Sequence, residues 1–127
     1  MKAEEYWNIR LSDLQKVLAK NNFEAYVAED GGRAKELVMQ TIIPEIGAQT
    51  VLRGDSMTCI EAGVFDALAE LPGISYIDPW IEGVPFEERS EFLRYKLAVD
   101  LMVTGTNAVT EAGQLVNLDM VGNRVAG

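Results

Sequence analysis

The sequence predicts an α/β domain, a three-layer sandwich built on a mostly parallel sheet. Three observations predict it. Apolar residues recur at helical spacing in four segments, short β-branched or alternating runs fall between them, and the connections are brief. Strand and helix in alternation form crossover units, which cover both faces of a parallel sheet and turn right-handed. At 127 residues the chain suits one core, and roughly two-thirds of its unfolded surface would be buried on folding.

In order along the chain, Trp7, Leu11, Leu14 and Leu18 predict an amphipathic helix over residues 3–20, within an N-terminal helical segment 1–22. Asn21-Asn22 suits its end, because Asn tolerates the left-handed conformation. Phe23, Ala25 and Val27 then alternate with Glu24, Tyr26 and Ala28, which predicts a strand. Asp30 caps a second helix whose Ala34, Leu37, Val38 and Ile42 share a face until Pro44 stops it. Thr50-Val51-Leu52 reads as a buried strand. Ile60, Val64, Ala67, Leu68 and Leu71 mark a third helix, and Gly73 opens a strand Ile74–Ile77. Pro85 begins a fourth helix with Phe86, Leu93 and Leu97 inward. Leu101–Thr104 is the next apolar strand. After it, Val109-Thr110 and Leu115-Val116 pair as a hairpin around Glu111-Ala112-Gly113, and Gly122-Asn123-Arg124 forms a tight turn.

Composition prunes the chemistry. Twenty acids against eleven bases give a net charge of −9, and the bases are scattered, so nucleic acid is excluded as a partner. No run approaches the ~18 apolar residues of a membrane span, and the acidic N-terminus is no signal peptide. The expectation is a cytoplasmic protein. With no His, the chain holds no Ser-His-Asp triad and no His-ligated metal; with Cys59 alone, it holds neither an iron–sulfur cluster nor an internal disulfide. Cys59 reads as a small core residue rather than a reactive thiol. No metal and no cofactor are expected in this chain. Carboxylate chemistry and anion binding remain.

Ligands of open α/β sheets bind beyond the carboxyl ends of the strands. Two segments fall there. In Arg53-Gly54-Asp55-Ser56-Met57-Thr58, a capping box from Thr58 to Glu61 would start the third helix, whose amides, with Ser56 and Arg53, would receive an anion. Asp55 would repel that anion unless it points away, and a plain capped helix is the competing reading. In the second segment, strand alternation sets Leu115, Asn117 and Asp119 on one face, joined by Asn107 and by the bidentate donor Arg124. Side chains that tie turns to backbone are the competing reading there. Trp80, in an irregular stretch, is expected at a pocket lip or an interface.

The run from Leu93 to Ala126 resembles the LUD domain family of lactate-utilisation proteins, in particular their small C-type subunit. From Thr104 it reads T-x-x-N-A-V-T-E-x-G-x-L-V-N-x-D-x-x-G-N-R-V-A, matching the family pattern in order and spacing. Gly54-Asp55-Ser56-Met57-Thr58 is similar to the family's S-x-T loop, with Asp55 where glycine or serine is usual, and Glu61 with Gly63 fits the E-x-G that follows. The likeness runs from Phe23 onward.

The resemblance implies a fold like that of sugar-phosphate isomerases and CoA transferases, with the hairpin lining the ligand site. It also implies a part in oxidising L-lactate to pyruvate beside an iron–sulfur partner subunit. Family members continue for about one more α/β layer, so the fold is expected to be incomplete at its C-terminus. An uncovered sheet edge invites pairing, and a homo-oligomer is expected. On the first of three functional readings, the chain binds a small carboxylate or phosphate-bearing ligand through Gly54, Ser56, Thr58, Asn107, Asn117, Asp119, Asn123 and Arg124. On the second it is an isomerase or CoA-transferase-like enzyme with Glu111 or Asp119 as base or nucleophile. On the third it is a non-catalytic interaction module.

Overall fold

The computed structural model describes residues 1–94, 97–120 and 122–127, without the side chains of residues 92, 93, 123 and 126. The chain folds as an α/β protein around a parallel sheet. In order, its elements are α1 (Ala3–Lys20), α2 (Gly31–Leu37), a π-helical turn (Val38–Ile42), α3 (Ile43–Ile46), β1 (Thr50–Arg53), α4 (Met57–Glu61), α5 (Val64–Glu70), β2 (Ser75–Ile77), α6 (Phe86–Arg94), β3 (Leu101–Val103), the hairpin β4 (Ala108–Val109) and β5 (Leu115–Val116), and α7 (Asn123–Ala126).

The sheet has three strands in the order β2-β1-β3, all parallel. The central strand β1 is the most apolar, as its two neighbours demand. Val51 faces Tyr76 on one side and Leu101 on the other, and Val51 and Leu52 are both fully buried. Adjacent strand residues point to opposite faces, so both faces of β1 are covered. Around Val51 the core gathers Ile43, Ala48, Val64, Phe65 and Leu68, with Cys59 packed against them. The separate hairpin sheet is antiparallel and pairs Ala108 with Val116 and Val109 with Leu115, so its first strand begins one residue before the expected Val109-Thr110.

Local chemistry accounts for most boundaries. Asp30 Oδ1 accepts from Arg33 N at 2.8 Å and caps α2 as expected, and Asn22 takes a positive φ of 66° after α1. Arg89 N donates to the carbonyl of Pro85 at 3.0 Å, which seats that proline at the start of α6.

Several expectations are corrected. Pro44 does not stop its helix. The π-helical turn before it lets Ile43 N reach back to Val38 O, the widened turn accommodates a residue that cannot donate, and the helix continues to Gly47 with φ +66°. The third helix is broken at Ala62-Gly63, where Gly63 takes φ +71°. Its start is capped by Ser56, whose Oγ accepts from Cys59 N at 3.1 Å, so Thr58 is inside the first turn and the Thr58–Glu61 box does not form. Residues 23–28 run without turn or bend but join no sheet. Phe86 and Leu97 are exposed rather than inward, and Leu93 lies outside the described side chains. Gly122–Arg124 leads into the short helix α7 instead of closing a tight turn. Among the described residues, no helix is long and apolar enough to cross a membrane.

Candidate functional site

The chain leaves β1 toward β2 on one side, then returns to place β3 on the other, so the strand order reverses between β1 and β3. A crevice opens beyond the carboxyl ends at such a point. Gly54, Asp55 and Ser56 follow β1 here, and Thr104, Gly105, Thr106 and Asn107 follow β3.

The two strand ends touch. Gly54 N donates to Val103 O at 2.7 Å, Gly105 N to Asp55 O at 3.4 Å, and Thr104 Oγ1 to the same carbonyl at 3.2 Å. Side chains would prevent this approach. A Cβ on Gly54 would fall 2.5 Å from Thr104 Cβ, and one on Gly105 would fall 2.8 Å from Ser56 Oγ. Ser56 is buried beneath them, while Thr58 is exposed on the first turn of α4. Arg53, expected beside the anion, turns away. It pairs with Asp78 at 2.8 Å and lies 4.5 Å from the ring centre of Phe65 and 5.9 Å from that of Trp80. Trp80 is half-buried beside that guanidinium, and Asp78 also accepts its amide at 2.8 Å. Beside this cluster, burial pushes the Tyr76 phenol up to about 12, with the charge of Asp78 adding to the shift.

The hairpin returns the C-terminal residues to the same strand ends. β5 ends at Val116, so Asn117 and Asp119 lie beyond the strand, and the alternation expected to align them with Leu115 does not reach them. Hydrogen bonds place them instead. Asn107 N donates to Val116 O at 3.1 Å, and Thr106 Oγ1 to Asn117 Oδ1 at 2.8 Å. Asp119 Oδ2 accepts from Val125 N at 2.9 Å and so fixes α7. That anchors Arg124, which spans the site: Nη1 reaches Asn107 Oδ1 at 2.8 Å and Leu118 O at 3.3 Å, and Nη2 reaches Asp55 O at 3.3 Å, 69 residues away. The structure thus brings Gly54, Asn107, Asn117, Asp119 and Arg124 together beyond the carboxyl ends of β1 and β3. The side chain of Asn123 lies outside the described residues.

Donors are left over. Asn107 Oδ1 accepts twice, from Leu118 N at 2.8 Å and from Arg124, which fixes the orientation of its amide. The Nδ2 groups of Asn107 and Asn117 then have no partner among the described residues, and neither does the buried Nε of Arg124. Two amide donors and one guanidinium around exposed strand ends can receive a carboxylate or phosphate oxygen.

Glu111 is placed elsewhere. It stands at the hairpin tip with 85% of its side chain exposed and pairs with Arg10, whose guanidinium lies 5.6 Å from the Tyr6 ring centre. Asn21 Nδ2 secures the same tip by donating to Ala112 O at 2.9 Å and Gly113 O at 3.2 Å. Arg10 and Asn21 were not found from the sequence, because partners about 90–100 residues away leave no local pattern. Among the described residues, no group of three His, Cys, Asp or Glu gathers into a metal-binding arrangement.

The LUD domain family model matches residues 11–127. Neither a curated protein nor a solved structure gives a match.

Proposed function

The chain belongs to the LUD domain family, associated with lactate-utilisation proteins, and from that premise we propose that it is a non-redox subunit of an L-lactate or 2-hydroxy-acid utilisation system. On this reading it binds a small carboxylate or phosphate-bearing anion at the crevice between β1 and β3. Iron–sulfur partner subunits carry the oxidation of lactate to pyruvate, and copies of this chain associate with one another.

One observation carries the binding reading. The side-chain Oδ1 of Asn107 is held by Arg124 and by Leu118 N, which leaves Nδ2 of this exposed residue without a partner among the described residues, beside a guanidinium. The anion would accept from Asn107 and Asn117 and be drawn by the charge of Arg124. Preorganised donors lose little freedom on binding, which favours affinity for a small ligand. Charge also selects, because a chain of net charge −9 repels anions everywhere except where a cation is exposed to them.

Calorimetry with lactate, pyruvate and a sugar phosphate tests the reading, using two variants. Asn107→Asp keeps an oxygen for Leu118 N and Arg124 but replaces the free donor with a negative acceptor. Binding should fall by about tenfold or more, the worth of a charge-assisted hydrogen bond. Arg124→Ala should weaken it similarly. Equal affinity in the wild type and both variants would remove these residues from any anion site.

A further inference from the structure

We propose that Arg10 and Asn21 are positioning residues for the anion site. From α1 they clamp the tip of the β4–β5 hairpin, and the hairpin carries that hold to Asn107 and Asn117 at its base. Their effect on affinity rests on the anion reading, whereas the clamp itself is measurable without a ligand.

Three contacts hold the tip. Arg10 Nη2 pairs with Glu111 Oε1. Asn21 Nδ2 donates to Ala112 O at 2.9 Å and to Gly113 O at 3.2 Å. Gly113 approaches the end of α1 so closely that an added Cβ would fall 2.7 Å from Asn21 Nδ2 and 3.0 Å from Val17 Cγ1, and its φ of +76° is one that side chains rarely adopt.

An exposed ion pair by itself holds weakly, in part because two long side chains must be immobilised to form it. Arg10 is already immobilised. Its Nη1 donates to the Tyr6 hydroxyl, one helical turn back, at 2.7 Å. Its guanidinium also lies 5.6 Å from the Tyr6 ring centre and 5.8 Å from that of Trp7. The cation is therefore aimed before it meets Glu111.

The hairpin is a short lever. Its strands are two residues each, and hairpins this short depend on packing for their order. Thr110 braces the tip: its amide donates to Gln114 O at 2.9 Å, its carbonyl accepts from Gly113 N at 2.9 Å, and its Oγ1 accepts from Gln114 N at 3.0 Å. At the base, Asn107 N donates to Val116 O at 3.1 Å and Thr106 Oγ1 to Asn117 Oδ1 at 2.8 Å. A tip that moves displaces both amide donors. A tip that is held keeps them in place, and the anion then meets donors that need no further ordering.

Amide exchange and calorimetry on the full chain provide the test, with Arg10→Glu, Glu111→Arg, the two together, and Asn21→Ala. Without ligand, the amides of Asn107 and Thr110 should exchange about threefold faster in each single variant, as the loss of one surface pair or one hydrogen bond implies. Those of Val51 and Leu52 in β1 should keep their wild-type rates. The double variant restores opposite charges and should recover wild-type exchange. Screening in about 0.5 M sodium chloride should narrow the gap for either charge variant and leave that of Asn21→Ala unchanged. Affinity for the tightest binder among lactate, pyruvate and a sugar phosphate should fall about threefold in the single variants and return in the double. Equal hairpin exchange in the wild type and the single variants, or β1 loosened to the same extent, would remove the clamp. A double variant that recovers nothing would remove the ion pair from it. Faster exchange with unchanged affinity would deny Arg10 and Asn21 a positioning role. No binding by the wild type would sink the anion reading and that role with it, while the exchange rates would still decide the clamp.

Discussion

Gly54 shows how a single missing Cβ sets the geometry of the crevice. Its amide joins β1 to the end of β3, and any side chain would collide with Thr104. Gly54→Ala should therefore destabilise the fold by about 1–3 kcal/mol, as overpacking does, and lower the thermal midpoint by roughly 3–10 °C. Calorimetric melting reads this directly, and an unchanged midpoint would mean that the two strand ends separate at little cost. The glycine was legible in the sequence as part of a loop. Its reason was not, because Thr104 is 50 residues away and only the parallel pairing of β1 with β3 brings them together. Ser56 teaches the same lesson at shorter range. The sequence pattern points to Thr58 as the cap, whereas the structure uses Ser56, which lies in the tight turn beside Gly105.

Among elements, the starts of β1 and β3 are aligned by one carboxylate. Asp100 accepts from Gln49 N at 2.9 Å, Thr50 N at 2.8 Å and Thr50 Oγ1 at 2.9 Å, and its own amide is 2.9 Å from Thr50 Oγ1. The amide bonds of Gln49 and Thr50 favour the charged form and hold the carboxyl below its ordinary value. The sign follows from linkage. A depressed folded value contributes stability that is present above the unfolded value, about 4, and lost as pH falls through the folded one. Asp100→Asn should thus be less stable than wild type near neutral pH, and the gap should narrow as pH drops below about 4. Thermal melts across that range check it; a gap independent of pH would mean that the charge of Asp100 plays no part. The strands themselves were readable from their β-branched runs. The π-helical turn was not, since Pro44 signals a stop and only the packing of Ile43 into the core shows why the helix persists.

Across the whole molecule, attachment is uneven. β1 sits between two strands with both faces covered, whereas α1 has no buried residue. Among the described residues, side-chain hydrogen bonds tie it and its cap to the rest of the fold from Arg10 and Asn21 to the hairpin and from Gln15 to the 23–28 segment. Exposed ion pairs and single hydrogen bonds hold weakly compared with core burial. Amides of α1 should therefore exchange with deuterium at least about tenfold faster than those of β1, opening as a local unit without global unfolding. Equal protection would show that α1 and the sheet open together. Because Arg10 and Asn21 both contact the hairpin tip, opening of α1 would also loosen the segment that carries Asn107 and Asn117.

Hydrophobic spacing and turn chemistry, read from the sequence alone, determined the α/β class, the strands β1, β2 and β3, the presence of the hairpin and the Asp30 cap. These are local: each depends on residues a few positions apart, and periodicity records them. Which polar residues converge was decided only by the tertiary structure. Arg53 and Arg124 both stand near an expected anion site on paper, yet the fold turns one onto Phe65 and Asp78 and lays the other across Asn107 and Asp55. The same holds for residues 23–28, whose alternation predicts a strand, whereas the fold gives a run without turn or bend that joins no sheet. A strand exists only with a neighbour to share its hydrogen bonds, and that neighbour is a property of the fold.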